Sequence, residues 1–190
     1  MNLTTVTQQR LRALIRPGDC VIDATCGNGF DTLFLAQSVG ELGKVYAFDL
    51  QSQAIESAQQ RLQHHGVDGP ALQWIAADHA QMAAHLASAD AGHVRAVMFN
   101  LGYLPRSDHR CITQPSSTLA ALKDAITLLA PNGVISILAY TAHAGGREEC
   151  EAVKQWAMQL DSLRFAVEVV VPEMGRSSPP EWIFIEGKGG

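Results

Sequence analysis

The run Val21-Ile22-Asp23-Ala24-Thr25-Cys26-Gly27-Asn28-Gly29-Phe30-Asp31 leaves this chain few choices of fold. Apolar residues lead into an acid, a turn follows with two closely spaced glycines, and Asp31-Thr32-Leu33-Phe34-Leu35-Ala36 then offers apolar residues suited to a helix packed on a sheet. The pattern predicts strand, tight turn, helix. Such a junction brings backbone N–H groups and a helix N-terminus close to a ligand, because glycine carries no side chain to block the approach and tolerates positive φ.

Two nucleotide-type ligands compete for this turn. A dinucleotide fold calls for G-x-G-x-x-G, and only Gly27 and Gly29 precede Phe30-Asp31-Thr32. An acid at Asp31, where the helix begins, would repel a diphosphate. A ligand carrying an ammonium and a sulfonium would instead be attracted by Asp23 and Asp31, which points to S-adenosyl-L-methionine. Lys44-Val45-Tyr46-Ala47-Phe48-Asp49 reads as a buried second strand ending in an acid placed to accept from ribose hydroxyls, with Leu50 and Gln51 beside it. NAD would use that carboxylate equally well, so Asp49 does not separate the two cofactors.

The chain has 190 residues, 47% of them hydrophobic and 17% charged, enough for one domain with a sizeable core. A net charge of −5 argues against a broad basic face for nucleic acid, although Arg106, His109 and Arg110 form a local cluster able to meet a few phosphates. No run of roughly 18 apolar residues crosses a membrane, and the first residues show no basic region followed by an apolar stretch; the cytoplasm is the expected compartment. Cys20, Cys26, Cys111 and Cys150 form no C-x-x-C pair, and His64-His65 diverge on a helix, so no metal is expected. Cys26 reads as a small residue filling tight space in the turn.

The remaining elements follow from periodicity. Thr4 to Ile15 is a leading helix that could cover the ligand, within a leading segment 1–16. Ser52 is expected to cap the helix ending before Gly66, and Ala71 to Ala76 is the third strand, followed by Asp78-His79 at the adenine side of a nucleoside site and by a helix to about Ala87. Val94 to Phe99 is apolar enough for a strand buried on both faces. Asn100, Leu101, Gly102 and Tyr103 stand at its carboxyl end, where open parallel sheets bind ligands. Ser116-Ser117-Thr118 is expected to cap the next helix, Pro131-Asn132-Gly133 to turn into a fifth strand from Val134 to Tyr140, and Tyr140 to Glu149 to form a second loop on the ligand side. Arg164 to Val171 and Trp182 to Glu186 complete the sheet as a hairpin, which makes the last strand antiparallel. Residues 187–190 read as a frayed tail. The expected fold is a Rossmann-like α/β domain, a seven-stranded, mostly parallel sheet with helices on both faces.

Asn100-Leu-Gly-Tyr-Leu-Pro105 resembles the Asn-Pro-Pro-Tyr loop of methyltransferases that act on exocyclic nitrogen, with Leu101-Gly102 replacing the prolines. Together with Asp23-Ala-Thr-Cys-Gly-Asn-Gly-Phe-Asp31-Thr32 and Tyr140-x-x-His143-x-Gly-Gly-x-Glu148-Glu149, it is similar over nearly the whole chain to the small "putative rRNA methylase" family of class I S-adenosylmethionine-dependent methyltransferases. The resemblance implies N-methylation of the 5-aminomethyl group of 5-aminomethyl-2-thiouridine at the tRNA wobble position, with the anticodon region as partner. It implies that Asp23, Thr25, Cys26, Gly27, Asn28, Gly29 and Asp31 shape the methionine side of the cofactor pocket. Asp49 would hold ribose, Asp78 and His79 would lie near adenine, and Asn100 to Tyr103 would form the floor under the methyl. Tyr140, His143 and Gly145-Gly146, with Arg106, His109 and Arg110, would border the substrate, and His143 or His109 would accept the proton. Phe30 stands where the family has His, and Arg106-Ser107 where Gly-Gly is common. The rivals are a methyltransferase for rRNA, protein or a small amine, an NAD-dependent oxidoreductase, and a non-catalytic binding module. A small acidic domain offers little area for RNA alone, so a homodimer is an expectation by need.

Overall fold

A computed structural model describes residues 3–67, 69–102, 113–172 and 179–189. Seven strands form one sheet in the order β3-β2-β1-β4-β5-β7-β6. They are β1 (Cys20–Asp23), β2 (Lys44–Asp49), β3 (Ala71–Ala76), β4 (Val94–Leu101), β5 (Leu129–Ala139), β6 (Phe165–Val170) and β7 (Glu181–Gly187). Strands β1 to β5 pair in parallel, whereas β7 runs antiparallel to both β5 and β6. The connection from β6 to β7 is too short for a helical crossover, so the chain can only return as a hairpin.

Alternation along the central strands explains why both faces are covered. In β4, Val97 and Phe99 join one apolar cluster while Ala96 and Met98 join the other. The first cluster is closed by α4 (Met82–His85), α5 (Pro115–Leu128) and α6 (Gly146–Met158), through Met82, Leu122, Ala125 and Val153. The second is closed by α1 (Leu3–Leu14), α2 (Phe30–Val39) and α3 (Ser52–His64), through Leu11, Phe34, Leu35 and Leu62. A strand with apolar residues on both sides cannot face water, and the α-helical crossovers of a parallel sheet supply the cover. No helix among the described residues is long and apolar enough to cross a membrane.

Several boundaries differ from the sequence reading. Gln51, not Ser52, is the N-cap of α3, and Gln114 precedes α5, with Pro115 in its first turn; neither cap residue makes a side-chain capping bond. Proline's fixed φ and missing N–H favour that first-turn position over the serines that follow. The helix expected from His79 to Ala87 is a 3-10 turn, His79–Gln81, and a single α turn, Met82–His85. Strand β5 starts at Leu129 rather than Val134, because Leu129 already pairs with Val94 and the Pro131-Asn132-Gly133 stretch is absorbed as an irregularity in register, Asn132 holding φ 59°. The tail is anchored through Gly189: Gly187 ends β7, the Lys188 N–H donates to the Arg164 carbonyl at 2.7 Å, and the Gly189 N–H donates to Asn132 Oδ1 at 2.8 Å.

Candidate active site

The carboxyl ends of β1, β2, β3, β4 and β5 open onto a cavity of about 790 Å³, inside the range of roughly 300–1,000 Å³ usual for small-molecule clefts. Strand order reverses between β1 and β4, and open α/β sheets bind ligands at that switch point.

The turn after β1 builds one wall. Thr25, Cys26, Gly27, Asn28 and Asp31 line the cavity. The Gly27 N–H donates to Asp49 Oδ2 at 2.9 Å and the Gln51 N–H donates to Asp49 Oδ1, also at 2.9 Å. Those two bonds fix the carboxylate at the end of β2 while each oxygen keeps a lone pair for a ligand. Leu50 and Gln51 continue this side, and Asp78 and His79 stand at the end of β3. The Asp78 carboxylate accepts from the Ala80 N–H at 2.9 Å. His79 is 8% exposed, its ring edge-on to Phe99, and its Nε2 has no hydrogen-bond partner among the described residues. Burial lowers its pKa, so the ring is neutral near pH 7.

Gly29 lies behind this wall, and its role differs from the one read in the sequence. At φ +77° an added Cβ would meet the Cα and Cβ of Ala58 at 2.6 Å. The absent side chain therefore lets α3 seat against the turn rather than letting a ligand approach. Asp23 also lies behind the cavity, with no solvent exposure. Thr32 Oγ1 donates to its Oδ2 at 2.6 Å and the Thr25 N–H to its Oδ1 at 3.2 Å. Burial and, next, the Asp31 charge push its carboxyl up to about 7, against the pull of those two bonds. Burial also raises the Cys26 thiol far above the thiolate range, consistent with a space-filling residue.

Asp31 ties three elements together. Its Oδ1 accepts from Gln8 Nε2 of α1 at 2.7 Å and its Oδ2 from Asn100 Nδ2 at 2.6 Å. An ionised carboxylate only accepts, so Asn100 must turn its NH₂ toward Asp31, which leaves the Asn100 carbonyl oxygen as the acceptor for another group. The backbone beside it is closed: the Asn100 N–H donates to Thr25 Oγ1 at 2.7 Å, and the Tyr140 N–H donates to the Leu101 carbonyl at 3.0 Å. Leu101 is buried in the core, whereas Gly102 lines the cavity.

Tyr140 and His143 form the wall beyond β5. His143 Nδ1 lies 3.0 Å from the Ala144 carbonyl and must donate to it, so a neutral ring carries its lone pair on Nε2. A Cβ on Gly146 would fall 2.4 Å from the Tyr140 carbonyl and 2.7 Å from His143 Nε2; only glycine lets this turn fold back onto the start of α6. Gly145 precedes it as the cap at φ 81°. Neither glycine lines the cavity. Tyr103, Arg106, His109 and Arg110 lie outside the described residues.

Some lining residues escaped the sequence reading. Thr4 and Gln8 come from α1, four apart and hence on one face, Thr113 and Gln114 immediately precede α5, and Ser117 lies in its first turn. The polar i,i+4 pair on an otherwise amphipathic helix was the available signal. Phe30 also lines the cavity, 61% exposed, with the Arg61 guanidinium 3.5 Å from its ring centroid and Arg61 Nε donating to the Asn28 carbonyl at 2.6 Å. The described lining carries Asp31, Asp49 and Asp78 and no lysine or arginine, an electrostatic setting that favours a cation over a diphosphate.

Sheet order, the antiparallel last strand and a cleft at the strand switch together define the class I methyltransferase fold. The chain belongs to the family described as "Putative rRNA methylase", whose model matches residues 45–186 and so begins after the glycine turn. A "putative rRNA-methylase" from Clostridium thermocellum superposes with a TM-score of 0.92 at 36% identity, covering 98% of each chain. A "putative methyltransferase" from Streptococcus mutans, solved in complex with SAH, gives 0.85 at 33% identity, covering 97% of each. A chloroplastic tRNA (mnm(5)s(2)U34)-methyltransferase from Arabidopsis thaliana is 42% identical over 154 residues, 77% of this chain and 56% of that protein. The chain thus spans about half the length of the curated relatives it matches.

Proposed function

We propose that this chain is an S-adenosylmethionine-dependent RNA methyltransferase that N-methylates the 5-aminomethyl group of 5-aminomethyl-2-thiouridine at the tRNA wobble position. One observation carries the reading: Asp31 takes the Asn100 NH₂ and so commits the Asn100 carbonyl to accept from an amine at the floor of the cavity. The Arabidopsis relative's name and the SAH bound to the Streptococcus mutans protein support it.

The residues present suit the cofactor. Asp49, fixed by two backbone N–H groups, offers acceptors for ribose hydroxyls; Asp78 and the buried His79 Nε2, which lacks a hydrogen-bond partner among the described residues and lies 3.9 Å from Asp78 Oδ1, offer an acceptor and a ring nitrogen near a purine. Three carboxylates in the lining and Asp23 behind it favour a ligand with ammonium and sulfonium groups. When bound, the cofactor supplies a methyl group already activated by its positive sulfur.

The chain's own work is positioning, which can supply several kcal/mol when reacting atoms are held about 3–3.5 Å apart. Asn100 Oδ1 orients the substrate amine by accepting one N–H, turning the nitrogen lone pair away from the floor. His143 borders the substrate from the wall beyond β5, its ring fixed by the Nδ1 bond to the Ala144 carbonyl and its Nε2 shielded from solvent, and the proton released by the amine passes to water. Tyr140 packs against the base. With no lysine or arginine in the described lining, the nucleoside enters the cavity and the RNA backbone stays outside it.

The test is mass spectrometry of tRNA nucleosides from a strain lacking the protein, paired with methyl transfer in vitro to undermodified tRNA. Accumulation of the 5-aminomethyl nucleoside and its methylation by the purified chain are expected. Unchanged wobble uridines would remove this substrate.

A further inference from the structure

Among the described residues, Glu149 is a carboxylate buried without a cation. It is 1% exposed, sits in the first turn of α6, and has no Lys or Arg paired with it among those residues; the His79 ring that feels its charge is held neutral by burial. Burying a charge this way is costly unless hydrogen bonds and local dipoles compensate. Two hydroxyls do so: Thr113 Oγ1 donates to Glu149 Oε2 at 2.6 Å and Thr118 Oγ1 donates to Oε1 at 2.7 Å. The N-terminus of α6 adds its dipole.

The direction of these bonds matters. A carboxylate can only accept, so the Thr113 hydroxyl hydrogen is committed to Glu149 and its oxygen lone pair is free for the Gly102 N–H, which donates to it at 2.9 Å. The Thr113 N–H returns to the Gly102 carbonyl at 3.1 Å. Gly102 is two residues past Asn100, and both Gly102 and Thr113 line the cavity. A one-way chain therefore runs from the backbone of the Asn100 corner through one hydroxyl to a buried charge on another helix, and charge-assisted bonds of this kind are the stronger ones.

We infer that Glu149, acting through Thr113, is a positioning residue for the substrate amine: it holds the Asn100–Gly102 corner in register and takes no part in holding the cofactor. The inference rests on the function proposed above. Glu149 and Thr118 lie outside the cavity lining, and Thr113 faces the Gly102 side rather than Asp49 and Asp78.

The experiment compares Glu149→Gln, Thr113→Val, Thr113→Ser and the double variant Glu149→Gln/Thr113→Val. For each, steady-state kinetics on undermodified tRNA are set beside calorimetric binding of S-adenosylmethionine and amide hydrogen exchange. Val removes the hydroxyl, and Gln removes the charge and sets an NH₂ donor against one of the two threonine hydroxyls, so kcat/KM for the tRNA should fall by about 10- to 100-fold, the cost of misplacing reacting groups by a fraction of an ångström to an ångström. Cofactor affinity should be unchanged. Thr113→Ser keeps the hydroxyl and should retain activity, and the double variant should be no worse than the poorer single one, because both remove the same device. Full activity in Thr113→Val, equal losses in Thr113→Ser and Thr113→Val, or cofactor affinity falling in step with turnover would overturn the inference. If the unaltered protein transfers no methyl to tRNA, the proposed function fails instead. Exchange then decides the positioning role: faster exchange at the Gly102 and Thr113 amides in Glu149→Gln and Thr113→Val, but not in Thr113→Ser, supports it, and unchanged exchange refutes it.

Discussion

Asp23→Asn should stabilise the ligand-free protein, by an amount that grows with pH. The Asp23 carboxyl is fully buried and is pushed from 3.8 to about 7, first by burial and then by the charge of Asp31. Between those two pH values the folded chain holds a proton that the unfolded chain has released, so the contribution of Asp23 to stability is fully present below about pH 4 and is lost as pH rises through about 7. The rise from 3.8 to about 7, at about 1.4 kcal/mol for each pH unit, amounts to about 4 kcal/mol as an upper bound. Asparagine keeps the shape, can still face Thr32 and Thr25, and does not titrate. Urea unfolding of both proteins at intervals from pH 4 to pH 8 should give a stability difference that is small at the acid end, widens in favour of Asp23→Asn, and levels off above about pH 7. A cation in the cavity favours ionised Asp23, so S-adenosylmethionine should bind the unaltered protein more tightly as pH rises to about 7, and this dependence should vanish in Asp23→Asn. A stability difference that stays flat with pH, or shrinks as pH rises, would refute the assignment of a raised carboxyl to this position.

Asn100→Ala should lower turnover by about 100-fold or more while cofactor binding persists, because it removes the acceptor that orients the amine; full turnover would exclude that role. Gly29→Ala forces a Cβ to 2.6 Å from Ala58 at φ +77°, and urea unfolding should report a loss of about 1–3 kcal/mol from overpacking, with backbone strain in addition. Asp49→Asn removes the charge that accepts from the Gly27 and Gln51 N–H groups, and calorimetry should show S-adenosylmethionine affinity falling by about tenfold or more, in line with about 1.5–3 kcal/mol for a bond to a charged group.

The order of elements was legible along the chain because it rests on local chemistry. Alternating and continuous apolar runs mark strands that must be covered on both faces, and the short link from β6 to β7 forces a hairpin, so the seven-stranded sheet and its antiparallel strand could be read directly. The acid at the end of β2 and Asn100 at the end of β4 could be placed at the ligand side for the same reason. Helix starts were less legible: α5 takes up Pro115 ahead of three candidate hydroxyl caps, and Thr118 spends its hydroxyl on Glu149, thirty-one residues away.

Tertiary structure alone decided which groups act together. Periodicity places Asp31 at a helix start, but only packing brings Gln8 and Asn100 onto its two oxygens. A sequence records that Gly29 lacks a side chain and cannot say that Ala58 occupies the space. Asp23 and Asp31 look alike as letters, yet one is sealed in the core with a raised carboxyl and the other lines the cavity. Burial and hydrogen bonding over long sequence separations depend on how the faces of the sheet close, and that is a property of the folded packing rather than of any local run of residues.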